Sequence, residues 1–482
     1  MTKEPQINNS QPKALGKIPI GIKGFDDITD GGLPRGRTTL VCGNAGSGKT
    51  VFAMEFLTNG IIKYNEPGLF ISFEESEQDL SENFASLGID TKKMIADKKL
   101  IIDRVIIERE NLTETGEYNL DALFIRIACA IDAIGAKRVV LDTIEAIFSE
   151  MPNETFLRSE IRRLFNWLKA KQVTSIVTGE KGTGTFTRYG LEEYVSDCVI
   201  VLDNRIETEI STRRLFIAKY RGSRHGSGEY PFLIDEHGIS VIPLSSAGLD
   251  YKISEDRVSS GIISLDAMFG GKGFFKSSSI LFSGTAGTGK TTFASYFVDA
   301  ACRRGEKCLY LGYEESGPQV ERNMRSVGLE LQPWVESGLL RFHASRPSLS
   351  NLEHHLVMMI KHIDEVSPSM VVIDPVTSFI TESNELYVKA LLVRLTDHLK
   401  SRGITAVYTH LTKGGENAEQ TEMGFSSMVD TWVVLSDHIQ NSKRKHSLSI
   451  LKSRGMNHSS EVATYALTEH GPDIIRQENH ND

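Results

Sequence analysis

The strongest constraint on the fold of this chain is an internal duplication of its sequence. Residues 21–56 match residues 261–297, and FISFEES, RVVLDTIEAIF and AKYRG recur later as YLGYEES, MVVIDPVTSFI and LKSRG. The order of the pairs is kept, and the separation of partners drifts only from 241 residues (Lys49 to Lys290) to 232 residues (Asp142 to Asp374). A repeat of this length predicts two homologous domains.

Each repeat alternates short β-branched runs with longer helical patterns. In the first repeat the predicted strands are residues 38–42, 69–73, 139–141, 175–178 and 198–202, and helical patterns cover 120–134 and 155–171. This alternation predicts an α/β fold in which each domain has a mostly parallel sheet with helices on both faces. We expect domains at 16–246 and 247–472, a disordered N-terminus at 1–15 and a short tail at 473–482.

Composition narrows the class of protein. Of the 482 residues, 40% are hydrophobic, which is typical of a globular protein. The 54 basic and 63 acidic residues give a net charge of −9, which argues against a dedicated duplex-DNA binder. The sequence contains no apolar run near the ~18 residues of a membrane helix and no secretory signal at its start. Without such a run we expect no membrane partner. The five cysteines form no CxxC pair, so we expect a reducing, cytoplasmic location.

Two glycine-rich motifs, GNAGSGKT and GTAGTGKT, fit the phosphate-loop pattern, and each follows a predicted strand and opens a helix. Lys49 and Lys290 are expected to reach the terminal phosphates of ATP, and the hydroxyls of Thr50 and Thr291 are expected to contact Mg²⁺. A glycine-rich turn without a ligand is the alternative, which the duplication disfavours. The predicted phosphate-binding residues are Gly43, Gly46, Ser47, Gly48, Lys49 and Thr50, and Gly284, Gly287, Thr288, Gly289, Lys290 and Thr291.

Carboxylates follow two further strands of each repeat. Asp142 and Asp374 end apolar strands, where a carboxylate polarises the water around Mg²⁺, although either could be an ordinary strand-end cap. A Glu-Glu pair ends the strand after each phosphate-loop helix and is expected to activate a nucleophile. Repulsion between the two carboxylates is expected to raise the pKa of one of them. The alternative is a solvated loop, which is the more common setting of an isolated Glu-Glu pair. The predicted bases are Glu74 and Glu314, their partners are Glu75 and Glu315, and Glu314 is also a candidate metal ligand.

Basic pairs lie late in each repeat, far along the chain from the phosphate loops. Lys219 and Arg221, and Lys452 and Arg454, end strand-like runs, and we expect them to reach the nucleotide of a neighbouring subunit as arginine fingers do. Such head-to-tail contacts predict a ring. A solvated strand end is the alternative.

Together these motifs, with RYGLEEYVSD, KYRGSRHGSGEYPF and GGKGFF, resemble the KaiC family of double RecA-like ATPases over nearly the whole chain. The resemblance implies two tandem RecA-like P-loop domains, a hexamer of stacked rings, ATP hydrolysis in the first domain, and autophosphorylation with autodephosphorylation in the second. It also implies that His225 and His458 join the cations that contact the neighbour's nucleotide. A timing or stress-response signalling role would fit these activities.

The resemblance also points to the phosphoacceptors. Aligning Asp197 with Asp430 sets Glu193 and Tyr194 of the first repeat against Ser426 and Ser427 of the second, where the family has an adjacent Ser-Thr pair. Serine is a competent acceptor, and Thr421 is a candidate transient third site. Helix-start capping is the alternative for the two serines.

Partners follow from the same resemblance. A KaiB-like protein is a candidate partner of the first domain. Only nine residues follow Asp473, so the long tail that docks KaiA in clock-type members is missing and KaiA binding is not expected.

Two other functions compete with this interpretation. A DNA-acting RecA-like motor would need stacked aromatic and basic elements, and KRKH at residues 443–446 is interpreted as a solvated turn instead. A signalling scaffold, in which ATP turnover is incidental, is the second alternative.

Overall fold

The structure is a computed structural model of the full chain. It describes residues 16–106, 120–148, 154–182, 185–187, 190, 195–207, 210–236, 238–242, 254–347, 352–380, 385–412, 427–440 and 443–475. The chain divides into two compact units, residues 1–244 and 245–482, which we call the first and second lobes and describe separately.

The first lobe interleaves strands and helices along the chain. Its strands are β1 (Lys17–Ile18), β2 (Leu33–Pro34), β3 (Thr38–Gly43), β4 (Gly68–Ser72), β5 (Leu100–Arg104), β6 (Arg138–Asp142), β7 (Thr174–Glu180), β8 (Cys198–Glu207), β9 (Ile210–Tyr220), β10 (Tyr230–Asp235) and β11 (Gly238–Val241). Its helices are α1 (Phe25–Ile28), α2 (Lys49–Tyr64), α3 (Glu77–Ala85), α4 (Thr91–Ala96), α5 (Asp121–Ile134), α6 (Glu145–Phe148) and α7 (Glu154–Ala170).

The second lobe repeats this order. Its strands are β12 (Arg257–Val258), β13 (Phe274–Phe275), β14 (Ser279–Gly284), β15 (Cys308–Gly312), β16 (Leu340–Ala344), β17 (Met370–Asp374), β18 (Thr405–Leu411), β19 (Thr431–Gln440), β20 (Lys443–Ser453), β21 (Ala463–Thr468) and β22 (Gly471–Ile475). Its helices are α8 (Ile263–Ala267), α9 (Lys290–Arg303), α10 (Gly317–Arg325), α11 (Gln332–Glu336), α12 (Leu352–Val366), a 3₁₀ turn (Val376–Phe379) and α13 (Glu385–Ser401).

Nine of the eleven described strands of each lobe form one sheet, with the same topology in both lobes, and the other two form a separate two-stranded sheet (β1 with β2, and β12 with β13). The orders are β5-β4-β6-β7-β3-β8-β9-β10-β11 and β16-β15-β17-β18-β14-β19-β20-β21-β22. The first six strands in each order pair in parallel and the last three are added antiparallel. The predicted α/β class with mostly parallel sheets is confirmed.

Side-chain alternation explains why helices cover both faces of the first sheet. In β4 and β6, Phe70 and Val140 belong to the apolar cluster that packs against α2, whereas Leu69 and Val139 belong to the cluster that packs against α5 and α7. Successive side chains of a strand point to opposite faces, so runs apolar at every position are buried on both sides.

The phosphate-loop helix of the first lobe carries a buried carboxyl group that packs against the β10–β11 hairpin. Glu55 is 6% exposed, and its Oε1 accepts a hydrogen bond from the Ile239 N–H at 2.5 Å. Gly238 has a φ of +91°, and a Cβ there would lie 2.4 Å from Glu55 Oε1, so only glycine fits the turn. Burial raises the pKa of Glu55 to about 7, against the lowering effect of the Ile239 hydrogen bond.

This carboxyl group predicts a stability that falls with rising pH. Because the folded pKa lies above the unfolded value, the folded state holds the proton more tightly, and the stabilisation is lost as pH rises from about 4.5 through about 7. Glu55→Gln keeps the acceptor oxygen but cannot ionise, so its stability relative to wild type should grow by about 2 kcal/mol between pH 5 and pH 8. Urea unfolding midpoints at both pH values measure this, with the exposed Glu82→Gln as control. An equal effect of the two variants at pH 8 would contradict it.

Within the described residues, none of the helices combines the length and apolar character needed to cross a membrane.

Candidate functional site

The phosphate loop of the first lobe joins β3 to α2 and presents the start of that helix. Gly48 caps α2 with a φ of +96°, and a Cβ at this position would lie 2.6 Å from Ile234 Cδ1. The first turn carries no acidic residue and no side-chain cap. Its backbone N–H groups therefore point outward from a helix terminus with partial positive charge, which is the arrangement that binds phosphate.

The loop of the second lobe has the same geometry. Gly289 caps α9 with a φ of +82°, and a Cβ there would lie 2.7 Å from Leu467 Cδ1. Lys290 is the first residue of α9, as Lys49 is of α2. The two loops are thus built alike by different contacting residues, Ile234 and Leu467, at matched places in the antiparallel strands.

The two loop lysines fold back on their own loops. Lys49 Nζ donates to the Gly43 carbonyl at 2.9 Å and to the Asn44 carbonyl at 3.1 Å. Lys290 Nζ donates to the Thr285 carbonyl at 2.7 Å. Burial lowers the pKa of Lys290, while the charges of Asp374 and Glu314 act in the opposite direction. These contacts hold each ammonium group within the loop.

The strand-end aspartates meet the loop threonines in both lobes. Thr50 Oγ1 donates to Asp142 Oδ2 at 2.9 Å, and Thr291 Oγ1 donates to Asp374 Oδ2 at 2.8 Å. Burial raises the pKa of Asp142, against the hydrogen bonds from Thr178 and Thr50 and the charge of Lys49. The hydroxyl and the carboxylate that the sequence separates by about ninety residues are therefore in direct contact.

The glutamate pairs are held by equivalent partners. Glu75 Oε2 accepts from Asn83 Nδ2 at 3.0 Å, and Glu315 Oε1 accepts from Asn323 Nδ2 at 3.0 Å. The pKa of Glu75 is raised chiefly by burial and then by Asp142, and Glu74 is only the last of its causes. Mutual repulsion within this pair is thus the smaller effect.

The first glutamate of each pair contacts the segment after the aspartate strand. Glu74 Oε1 accepts from Thr143 Oγ1 at 3.1 Å, and Glu314 Oε1 accepts from Ser378 Oγ at 3.2 Å. Both glutamates are exposed. Each side chain is therefore accessible from the surface of its lobe.

In the second lobe these groups surround one cavity of about 360 Å³. Lys290, Thr291, Asp374, Glu314 and Glu315 all line it. A cavity of this size, with a few convergent polar groups, is typical of a small-molecule site at the carboxyl ends of parallel strands.

The residues present fit a magnesium nucleotide. Ser47 Oγ at the first loop is buried and has no hydrogen-bond partner among the described residues. In the described part of the chain, no group of three or more His, Cys, Asp or Glu side chains could hold a metal ion. Mg²⁺ typically binds one or two protein oxygens together with substrate phosphates, and Thr50 with Asp142, or Thr291 with Asp374, supply that kind of oxygen set.

The late cations lie at the opposite end of each sheet from the loop of their own lobe. In the second lobe, Thr431 pairs with Ile280 and Leu435 pairs with Gly284, where the loop begins. Lys452 pairs with Trp432, and Arg454 N–H donates to the Asp430 carbonyl at 2.9 Å. Trp432 and Leu435 are three residues apart, and three residues of a parallel strand span about 10 Å, which exceeds the reach of either side chain.

The first lobe repeats this placement. Lys219 pairs with Val199, and Arg221 N–H donates to the Asp197 carbonyl at 2.9 Å. Arg221 Nη1 lies 3.8 Å from Asp197 Oδ1. The matching backbone contacts of Asp197 and Asp430 support the alignment of these two residues.

The two histidines occupy equivalent turns beside these cations. His225 Nδ1 lies 3.0 Å from the Gly226 carbonyl, and His458 Nδ1 lies 3.1 Å from the Ser459 carbonyl. Each histidine follows the arginine of its lobe by four residues.

The cations of the second lobe converge on one of the predicted acceptors. Lys452 Nζ donates to the Ser427 carbonyl at 3.1 Å, and Arg454 Nη2 donates to it at 2.7 Å. Ser427 therefore lies beside the two cations at the sheet edge remote from its own loop. Ser426, Thr421, Glu193 and Tyr194 lie outside the described residues.

Several residues that hydrogen-bond to the predicted carboxylates were not predicted from the sequence. Asn83 and Asn323 each stand eight residues after the glutamate that they contact, so comparison of the repeats could have found them. Thr178 and Thr409 donate to the buried aspartates, and Tyr310 donates to Asp374 Oδ2 at 2.5 Å. Nothing local in the sequence marks these three as neighbours of an aspartate.

The basic run KRKH is part of a strand, so the interpretation of residues 443–446 as a solvated turn is wrong. Lys443–Ser453 forms β20, which pairs with β19 from Gln440 back to Thr431. The antiparallel partner supplies backbone hydrogen bonds that stabilise an extended conformation despite the charged side chains.

Comparisons with known proteins agree with this geometry. The family described as "ATPase: KaiC" matches the chain twice, over residues 18–246 and 258–479. The "Circadian clock protein KaiC2" of Synechocystis sp. (strain ATCC 27184 / PCC 6803 / Kazusa) is 51% identical over 470 residues, covering 97% of this chain and 83% of the relative. The "Circadian clock oscillator protein KaiC" of Synechococcus elongatus (strain ATCC 33912 / PCC 7942 / FACHB-805) is 37% identical over 470 residues, covering 97% and 90%.

Proposed function

The chain belongs to the KaiC family of ATPases, and from that premise we propose that its two lobes direct the same phosphoryl transfer to different acceptors. In the first lobe the acceptor is water, and the lobe hydrolyses ATP. In the second lobe the acceptor is Ser426 or Ser427 of an adjacent subunit, and the same site later removes the phosphate.

The observation that carries the proposal is the placement of Ser427. It shares a sheet edge with Lys452 and Arg454, which both donate to its carbonyl, and this edge is remote from the phosphate loop of the same lobe. If these groups act on a nucleotide, the nucleotide is that of another copy. Acceptor and cations would then arrive together from one subunit, and head-to-tail repetition of the contact would close a ring.

The chemistry assigned to each residue follows from its position. Lys290 and the neighbour's Lys452 and Arg454 neutralise charge that develops on the phosphate oxygens. Glu314 accepts the proton of the serine hydroxyl while a bond forms from serine Oγ to the γ-phosphorus and the bond from that phosphorus to the ADP oxygen breaks. Bound Mg²⁺, held by Thr291 and Asp374, would neutralise further phosphate charge.

The first lobe uses the equivalent residues with water as the nucleophile. Lys49, Thr50, Asp142 and Glu74 repeat the arrangement, and Lys219, Arg221 and His225 would be supplied by the neighbour. Positioning of the nucleophile, rather than a different set of catalytic groups, then decides between hydrolysis and phosphorylation.

The assembly that we propose is a hexameric double ring with two ATP sites per subunit. The relatives at 51% and 37% identity are named as circadian clock proteins, which supports a signalling role in timing or stress response for this chain. A KaiB-like protein that recognises the first lobe is the partner that we propose.

Phosphopeptide mass spectrometry tests the proposal directly. Protein incubated with ATP for hours at several temperatures should gain phosphate on Ser426 or Ser427 and then lose it, and the Ser426→Ala/Ser427→Ala variant should gain none there while still hydrolysing ATP. Absence of serine phosphate, together with ATP turnover that rises on addition of single-stranded DNA, would instead favour a DNA-dependent motor.

A further inference from the structure

One buried hydroxyl group distinguishes the two aspartates that are otherwise held alike. Asp374 Oδ2 accepts from Thr291 Oγ1 at 2.8 Å and from the Tyr310 hydroxyl at 2.5 Å, and its Oδ1 accepts from Thr409. Tyr310 is fully buried and lines the nucleotide cavity. The carboxylate of the second lobe therefore has three hydroxyl donors.

The first lobe has a phenylalanine in the place of Tyr310. Phe70 pairs with Val140 in the β4–β6 ladder, and Tyr310 pairs with Val372 in the equivalent β15–β17 ladder. Asp142 accepts from Thr50 and from Thr178, the counterparts of Thr291 and Thr409. Because Phe70 has no hydroxyl, Asp142 lacks the third donor that Asp374 has.

The aspartate carboxylates of the two lobes are oriented alike but differ in their hydrogen bonding. The two threonines fix the plane of the carboxylate in both lobes, so orientation does not require the tyrosine. What Tyr310 adds is a strong hydrogen bond to a charged oxygen, which draws electron density from that oxygen and occupies one of its acceptor positions. A carboxylate with fewer free acceptor positions can accept fewer hydrogen bonds from the water around a metal ion.

We propose that Tyr310 is a specificity-determining residue of the second lobe, whose hydroxyl weakens Asp374 as a partner of Mg²⁺ and raises the free Mg²⁺ that nucleotide binding requires there. This inference rests on the proposed role of Asp374. Tyr310 acts through Asp374 and not on the reacting atoms, so it is not a catalytic residue.

The test measures nucleotide binding rather than activity. In full-length protein carrying Lys49→Ala, which confines the probe to the second lobe, a fluorescent ATP analogue is held constant while MgCl₂ is titrated and anisotropy is recorded. Tyr310→Phe should lower the half-saturating Mg²⁺ about threefold to tenfold, with the affinity for metal-free nucleotide little changed. A purely structural role would instead alter the affinity for metal-free nucleotide.

Two further variants keep the result decisive. Phe70→Tyr, measured in a Lys290→Ala background, should raise the half-saturating Mg²⁺ of the first lobe. Asp374→Asn should raise that of the second lobe, since it removes the carboxylate charge.

Two results would contradict the inference in different ways. An unchanged or raised Mg²⁺ requirement in Tyr310→Phe, with Asp374→Asn still impaired, would overturn the role of Tyr310 alone. No effect of Asp374→Asn would overturn the metal role of Asp374 in the proposed function, and the inference would fall with it.

Discussion

The Glu314→Gln/Glu315→Gln variant is expected to bind ATP yet to incorporate phosphate into its serines at least about a hundredfold more slowly than wild type. Both glutamates line the cavity of about 360 Å³ with Lys290, Thr291 and Asp374. Glutamine preserves the size of each side chain and the acceptor oxygen that Asn323 and Ser378 contact, but it cannot take up the serine proton. The measurement is the initial rate of phosphate incorporation, with nucleotide binding measured in parallel.

The matched control is the same pair of changes in the first lobe. Glu74→Gln/Glu75→Gln alters residues with the equivalent partners Thr143 and Asn83, so it should reduce ATP hydrolysis while the second lobe still phosphorylates its serines. Phosphate incorporation at the wild-type rate in Glu314→Gln/Glu315→Gln would refute the assignment of these residues as bases.

Mixing two inactive variants is expected to restore phosphorylation between subunits. Lys290→Ala loses the loop lysine but keeps the serines, and Ser426→Ala/Ser427→Ala keeps the loop but loses the acceptors. Co-assembled in equal amounts, they should regain about a quarter of wild-type phosphate, since half the chains carry acceptors and half of those face an intact loop across a head-to-tail interface. Mass spectrometry with one chain isotopically labelled should find phosphate only on the Lys290→Ala chain.

The restoration should depend on cations from the acceptor-bearing chain. Lys452→Met/Arg454→Met placed on the Lys290→Ala chain should remove it, because these side chains accompany Ser427 at the same sheet edge. The same changes on the chain without acceptors should leave those interfaces unaffected. Mixtures that stay unphosphorylated, while wild-type protein is phosphorylated under the same conditions, would exclude transfer between subunits.

The parallel core of the fold could be predicted because its signals are local. The predicted strand at 38–42 is observed as Thr38–Gly43, and the predicted strand at 198–202 forms the start of Cys198–Glu207. A continuous apolar run indicates a strand buried on both faces. The run at 443–446 shows the limit of such reasoning, since its charged side chains predict a turn and only pairing with β19 makes it a strand.

The candidate site likewise contains parts that could be predicted from the sequence and parts that could not. The phosphate loops, the strand-end aspartates and the glutamate pairs could be identified from the sequence, because each is a short contiguous motif and duplication supplied an internal check. The repeat also aligns Phe70 with Tyr310. The sequence does not show, however, that the Tyr310 hydroxyl contacts Asp374.

The sequence by itself determined the duplication, the α/β class and the two glycine-rich loops that open a helix, because these depend on neighbours along the chain. The tertiary structure decided which groups meet across long separations: the hydroxyl of Tyr310 with Asp374, the carboxyl of Glu55 with Ile239, and Ser427 with Lys452 and Arg454. The physical reason is that strand order, register and burial set these distances, and all three arise only when the whole lobe packs.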